Sequence, residues 1–314
     1  MQNFLDFEKP LLEIQTKIEE LRHLKDSSEN IANELTNLQE KFDKALGEIY
    51  YNLTPFQKVK VCRHQDRPKF DQMVERIFDK FEILSGDRLF ADDFSIKGGF
   101  GRIQNKNFLV IGNDKGKDID SRVKNNFGMA KPEGYRKVQR LFDLAEKFEI
   151  PIVTLVDTAG AYPGKEAEER GQSESIASSI AKCLKVKTPI VSVIIGEGGS
   201  GGAIALATAD VVYMLQNSIY SVISPEGCAS ILWRNNDAVQ KAADSLKLTA
   251  DECLKFKIID EIITEHPGGA HRFPKDQYKT LKEVLSNKIS QLKNISSETI
   301  VKERNSKFLN ITNN

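Results

Sequence analysis

Gly196-Glu-Gly-Gly-Ser-Gly-Gly202 is the stretch of this sequence best suited to chemistry. It follows Pro189-Ile-Val-Ser-Val-Ile-Ile195, a β-branched run that reads as a buried strand. It precedes Ala203-Ile-Ala-Leu-Ala-Thr-Ala209, which reads as a short, closely packed helix. A glycine-rich turn entering a helix leaves backbone N–H groups without intrahelical acceptors and lets a ligand approach the main chain. With the positive end of the helix dipole, those groups suit an anion or a developing oxyanion. A near-copy begins at Pro151: Pro151-Ile-Val-Thr-Leu-Val-Asp-Thr-Ala-Gly160 repeats the apolar pattern and the glycine at the strand end. It runs on into Ala161-Tyr-Pro-Gly164, a second turn with little to shield its backbone. Two successive strand–turn–helix units imply a repeating superhelical turn whose glycine ends face one side of the core.

Two phosphate-binding readings fail. Gly196-x-Gly198-x-x-Gly201 satisfies the dinucleotide fingerprint in form, but that motif also needs a full-length helix and an acid at the end of the next strand. Here the helix stops near Asp210, and the next strand, Val211–Leu215, ends in Gln216-Asn217 with no acid before Glu226. A phosphate loop needs Gly-Lys-Ser/Thr after the glycines, and none follows.

The elements around these units argue an α/β protein. Asn107–Gly112 reads as a strand and Gly134–Phe148 as a helix, with further strands at Val211–Leu215, Ile219–Ile223 and Ile258–Ile263; Phe70–Leu84 is amphipathic. Upstream, Ile14, Ile18 and Leu21 form one apolar stripe, and Ile31, Leu35, Leu38, Phe42, Ala45 and Ile49 another. Asp26-Ser-Ser-Glu29 between them reads as a break with a reciprocal cap. Residues 1–60 are thus expected to form a helical hairpin for packing or assembly, 61–295 the main domain, and 296–314 a poorly ordered polar tail.

Charge and cysteine content exclude several classes. Lys+Arg and Asp+Glu number 45 each, so no net field favours nucleic acid or membrane. No run of 18 apolar residues offers a spanning helix, and the N-terminal residues lack the pattern of a secretory signal. Cys62, Cys183, Cys228 and Cys253 are scattered without a C-x-x-C pair, so the expectation is a reduced, cytoplasmic protein with no metal site. The segment from Lys115 to Arg140 is basic, a solvated face or a docking surface for phosphates or an acidic carrier, and its sparse aromatics give nucleic-acid stacking little support.

Several longer words stand in order: Asn126-Phe-Gly-Met-Ala-Lys-Pro-Glu-Gly-Tyr-Arg-Lys137, Gly160-Ala-Tyr-Pro-Gly164, Ala167-Glu-Glu-Arg-Gly-Gln-Ser-Glu174, Gly196 to Gly202, and Tyr220-Ser-Val-Ile-Ser-Pro-Glu-Gly-Cys-Ala-Ser-Ile-Leu-Trp233. With Phe4-Leu-Asp-Phe-Glu8 and Gly268-Gly-Ala-His-Arg272, they resemble the alpha subunit of the carboxyltransferase of bacterial and plastid acetyl-CoA carboxylase. Ala159 departs from that pattern, where a proline is common. The resemblance implies a crotonase-like fold of ββα superhelical turns. It implies transfer of a carboxyl group from carboxybiotin, borne on the biotin carboxyl carrier protein, to acetyl-CoA, giving malonyl-CoA for fatty acid synthesis. It also implies an α2β2 assembly with a beta subunit that supplies most CoA contacts and carries the zinc, alongside biotin carboxylase. No cofactor is then expected on this chain itself.

That chemistry places negative charge on an oxygen of each substrate, so backbone donors are the expected catalysts. Gly201 and Gly202 are the first expectation, and Gly160 or Ala161 the second. Gly198 and Gly199 are expected to permit the turn, Arg170 to pair with the carboxylate in transit or with a nearby glutamate, and Tyr162 to line the biotin slot or pack. No acid or histidine stands out as a base, and the resemblance implies that the released biotin nitrogen takes the methyl proton. Ser224-Pro-Glu-Gly227 is expected to start a helix near Cys228. A self-sufficient acyl-CoA hydratase or isomerase is the alternative, but it needs carboxylates beside the oxyanion glycines. A non-enzymatic scaffold is a third reading.

Overall fold

The computed structural model describes residues 3–23 and 29–311. Helices α1 (Lys9–His23) and α2 (Glu29–Tyr51) pair as the hairpin read from the stripes, with Leu11, Ile18, Phe42 and Leu46 buried between them. The break at Asp26–Ser28 lies outside the described residues. Helices α3 (Pro55–Cys62) and α4 (Phe70–Ile77) lead into the sheet: β1 (Lys80–Ile83), β2 (Ile96–Ile103) and β3 (Lys106–Asn113). Short α5 (Ile119–Lys124) and α6 (Pro132–Lys147) precede β4 (Ile152–Thr158), α7 (Lys165–Glu169), α8 (Gln172–Lys185), β5 (Ile190–Gly199), α9 (Ser200–Ala207), β6 (Val211–Leu215) and β7 (Ile219–Ser221). The chain closes with α10 (Pro225–Leu232), α11 (Val239–Ser245), α12 (Ala250–Lys255), β8 (Glu261–Ile263), α13 (Pro274–Leu292) and α14 (Ser297–Asn310). Ser224 caps α10 as expected, its Oγ accepting from the Gly227 N–H.

The sheet runs β1-β2-β3-β4-β5-β6-β8, antiparallel through β3 and parallel from there on, with β7 added beside the end of β5. Its parallel strands are buried on both faces, which is why they read as continuous apolar runs. Alternate residues feed two cores: Ile152, Val156, Ile190 and Ile194 pack toward α6, α8 and α9, while Val153, Leu155, Val191 and Val193 pack toward α4 and α13. No helix of the described residues is long and apolar enough to cross a membrane.

The polar tail is a correction. Residues Ser297–Asn310 form α14, and its Arg304 is buried. That guanidinium donates to the carbonyls of Cys183 (2.6 Å), Val186 (2.7 Å) and Thr188 (3.0 Å) and pairs with Asp210 at 2.8 Å. A polar composition hid the helix, because one arginine filling carbonyls at and just past the end of α8 anchors it in place of a broad apolar face.

The hairpin is tied to the body by polar contacts. Tyr50 Oη donates to Glu8 Oε1 at 2.9 Å, and Arg272 pairs with the same carboxylate at 3.0 Å. The His271 ring stacks on His64, with centroids 4.1 Å apart, while Arg67 and Glu265 form a buried pair behind them at 2.7 Å. Burial first, then His64, Arg67 and Arg272, pull the His271 pKa from 6.5 down to about 3, against the opposing pull of Glu265. The unfolded chain therefore takes up this proton first, so the stability is complete above pH 6.5 and declines as pH falls toward 3. Chemical denaturation between pH 6.5 and 4.5 should show unfolding free energy falling by at most about 1.4 kcal/mol per pH unit from this group. In His271→Gln that component of the slope should vanish, and an unchanged slope would refute the assignment.

Candidate active site

The two glycine-ended strands lie side by side. β4 and β5 are parallel, with Val153 opposite Val191 and Thr158 opposite Gly198, and the register shifts between Val156 and Thr158. Beyond that point the backbones converge. A β-carbon on Gly199 would stand 2.2 Å from the Ala159 carbonyl, and one on Gly202 would stand 2.8 Å from the Gly160 carbonyl carbon and 2.9 Å from the Ala161 nitrogen. Glycine is required at both positions by this contact. The two sequence units thus meet through their main chains, and Ala159, Gly160, Ala161, Gly199 and Gly202 are brought together.

The expected turn differs in form. Gly196, Glu197, Gly198 and Gly199 continue β5, which pairs here with β7, Glu197 facing Ile219 and Gly198 facing Tyr220. The change of direction falls at Ser200, whose φ of +50° is a left-handed conformation uncommon for a residue with a β-carbon. Gly198 and Gly199 therefore serve close strand contact instead of turning the chain. Gly201 and Gly202 are the second and third residues of α9, where N–H groups lack intrahelical acceptors. Gly201 is half-buried and Gly202 buried against the first loop.

Of the second donor pair, Gly160 is corrected. Its N–H donates to Thr158 Oγ1 at 3.1 Å, while that hydroxyl donates to the Gly160 carbonyl at 2.7 Å. The loop thereby folds on itself, with Gly160 at a φ of +151°. Ala161 N–H has no such partner among the described residues, and its nitrogen lies beside Gly202.

Neighbouring elements hold the first loop. The Tyr162 N–H donates to the Ala130 carbonyl at 2.9 Å, and Gln172 Nε2 donates to the carbonyls of both Ala130 (2.8 Å) and Tyr162 (2.9 Å). The Tyr162 ring carries the Lys131 ammonium 4.9 Å from its centroid. Arg170 pairs with Glu133 at 2.6 Å, not with its sequence neighbours Glu168 or Glu169, and its guanidinium stacks on Phe90. From α6, the buried Tyr135 hydroxyl lies 3.0 Å from the Gly202 β-position and has no hydrogen-bond partner among the described residues.

Sequence reasoning missed an ionic network beside these loops, buried at Asp157 and Glu197, half-buried at Lys115 and exposed at Arg63 and Glu226. Glu197 accepts from Arg63 Nε at 2.6 Å and pairs with Lys115, which also pairs with Asp157 at 2.8 Å. Asp157 Oδ1 accepts the Glu197 N–H at 2.9 Å, and Arg63 continues to Glu226 at 2.7 Å. Burial raises the Glu197 and Asp157 pKa values, but Lys115, helped by Arg63 and Lys69 respectively, outweighs it and holds both below the carboxylate range. Lys115 stood out in the basic segment and Glu197 among the glycines, but only the fold reveals that they touch.

A family model for acetyl co-enzyme A carboxylase carboxyltransferase-like proteins matches residues 4–312. A relative from Rhodospirillum centenum is 53% identical over 98% of both chains, and one from Ruegeria pomeroyi is 51% identical over 99% of this chain and 98% of its own. Both carry the name acetyl-coenzyme A carboxylase carboxyl transferase subunit alpha. Among solved structures, the beta subunit of Pseudomonas aeruginosa geranyl-CoA carboxylase superposes with a TM-score of 0.57 at 19% identity, over 78% of this chain and 46% of its own. Transcarboxylase 12S superposes with a TM-score of 0.54 at 17% identity, over 70% of this chain and 42% of its own. The present chain spans less than half of each solved chain, and these likenesses establish the crotonase-like fold.

The loop contact is testable by stability alone. Gly202→Ala should lower the unfolding free energy by about 1–3 kcal/mol, because backbone on the far side cannot retreat without parting the loops. Gly201→Ala meets only the Ile176 side chain, at 3.3 Å, and gains helix propensity, so it should change the unfolding free energy by under about 1 kcal/mol. Equal urea midpoints for the two variants would contradict this packing.

Proposed function

Because this chain belongs to the acetyl co-enzyme A carboxylase carboxyltransferase-like family, we propose that it carries the biotin-side half of a carboxyltransferase site shared with a beta subunit. The reaction moves a carboxyl group from carboxybiotin, presented by a biotin carboxyl carrier protein, to the methyl carbon of acetyl-CoA, giving malonyl-CoA. The enzyme class, a carboxyltransferase, follows from the family itself. The assembly we favour is α2β2, fed by biotin carboxylase, with no cofactor resident on this chain and zinc on the beta subunit.

One observation carries the catalytic reading: the first turn of α9 packs at Gly202 against the Gly160–Ala161 peptide, where two parallel strands end together. As carboxybiotin releases its carboxyl group, negative charge grows on its ureido oxygen. The Gly201 N–H, with Gly202 behind it and Ala161 opposite, can donate to that oxygen at no cost of reorganisation. Tyr162 follows the Gly160–Ala161 peptide and carries the Lys131 ammonium over its ring. Arg170, engaged by Glu133, is assigned to holding the first loop; its bond to Glu133 leaves less of the guanidinium free for a carboxylate in transit.

Glu197 does not favour the hydratase alternative. Two cations hold it ionised, so it is a weak proton acceptor and cannot donate. The methyl proton is assigned to the biotin nitrogen released by carboxyl departure.

The test is malonyl-CoA-dependent carboxylation of free biotin, the reverse reaction. The chain alone should be inactive, and activity should appear when a beta subunit is added. Gly201→Pro removes one N–H in the first turn of α9, and in a complex that still assembles it should reduce kcat at least about 100-fold. Full activity in an assembled Gly201→Pro complex would move the oxyanion chemistry to the beta subunit.

A further inference from the structure

A pocket of about 190 Å³ opens beside the first glycine loop, lined by Arg63, Lys69, Lys115, Arg122, Phe127, Ala159 and Glu197. A smaller one shares Arg63, Ala159 and Glu197 with it and reaches Gly198 and Gly199, so the space is continuous with the end of β5. Four cations and one carboxylate thus face this volume. The carboxylate is saturated, because Glu197 sits between Arg63 and Lys115. Those two cations are themselves occupied by Glu197, Glu226 and Asp157.

The other two cations are not. Lys69 is only 5% exposed, and its nearest acid, Asp157, is 3.9 Å away, beyond hydrogen-bond reach. Asp157 meanwhile is held closely by Lys115 and by the Glu197 N–H. A buried ammonium without a hydrogen-bonding counter-charge is costly, and here it borders an open volume. Arg122, in the last turn of α5, is half-exposed and forms no ion pair with any described residue. Phe127, with half its surface exposed, forms an apolar wall beside it.

We propose that this pocket is a subsite for a small oxyanion, a carboxylate or phosphoryl group, bound between Lys69 at its floor and Arg122 at its rim. The lysine supplies a point charge in a desolvated position, and the arginine a planar fork able to take two oxygens. Burial pulls the Lys69 ammonium below its usual range, and a bound anion reverses that pull. Two sources share this chemistry: the carboxylate of an acyl product, and free inorganic phosphate. Only the first rests on the carboxyl-transfer reading, since the pocket does not depend on which reaction the glycines serve.

Isothermal titration of the full chain with malonate and, separately, with inorganic phosphate tests the site without any activity assay. At least one anion should bind saturably at a single site. Arg122→Gln and Lys69→Met should each weaken it about tenfold, as expected for loss of one charge-assisted contact, while Lys185→Gln, outside the pocket, should not. Tighter malonate identifies the acyl carboxylate as the natural occupant, and tighter phosphate the free anion; either result supports the subsite. Absence of saturable binding by both anions overturns the proposal, as does unchanged affinity in the folded variants. If Lys69→Met fails to fold, the rim variant Arg122→Gln decides. Failure here leaves the Gly201→Pro experiment untouched, so the two ideas fall separately.

Discussion

Backbone lies against backbone where β4 and β5 end, and the contact leaves no room for a β-carbon at residues 199 or 202. Satisfying it requires two loops, well separated in sequence, to arrive within a few tenths of an ångström of one another. The parallel register of the strands makes the coarse alignment, and the shift after Val156 moves Thr158 opposite Gly198. Finer alignment comes from hydrogen bonds: Asp157 takes the Glu197 N–H, Thr158 folds the Gly160 loop, and Gln172 clamps Ala130 and Tyr162 together. The small residues of α9 extend the same logic, because Ala203, Ala205 and Ala207 let that helix sit close against the sheet. A bulky helix would lift the N–H groups of its first turn away from Ala161.

The charges beneath the loops serve placement more than stability. Buried ion pairs such as Lys115–Asp157 and Lys115–Glu197 recover little beyond their desolvation cost, but removing one partner is destabilising by about 3–5 kcal/mol. The exposed Arg63–Glu226 pair adds little. The chain Asp157–Lys115–Glu197–Arg63–Glu226 joins β4, the segment after β3, β5, the end of α3 and α10. A register slip of β5 against β4 would leave several of these charges uncompensated at once. The network therefore penalises the wrong alignments of the same two strands whose ends must meet.

Legibility in the sequence followed the range of the interactions. The parallel strands were readable because burial on both faces writes them as apolar runs, and the repeat of Pro151–Gly160 at Pro189–Gly198 marked the two units that later proved adjacent. The stripes of α1 and α2 were readable because a helix spaces its contacts every three to four residues. What escaped was set by single long-range contacts. Arg304 anchors α14 through carbonyls more than a hundred residues away, and nothing in Ser297–Asn310 advertises that. Glu197 stood among the glycines, yet it is an interior strand residue whose partners, Arg63 and Lys115, come from distant parts of the chain. Likewise, Gly160 was expected as a donor because sequence cannot reveal that Thr158 engages its N–H.

The division between backbone and side-chain chemistry follows from this arrangement. A carboxylate serves as a general base when its pKa approaches the working pH, which demands burial without a close cation. Glu197 has the burial but also Arg63 and Lys115, and Asp157 has Lys115 and its bond to the Glu197 N–H. Both are therefore held charged, proton-free and immobile. Main-chain N–H groups differ: they do not titrate, carry no side-chain entropy, and are oriented by the helix and strand that present them. A site that handles charge developing on oxygen can rely on them alone, provided another group in the reaction takes up the proton. Glycines at the strand ends and locked carboxylates below them are then two sides of one design: the acids fix the frame, and under the proposed function the peptide groups are what meets the charge.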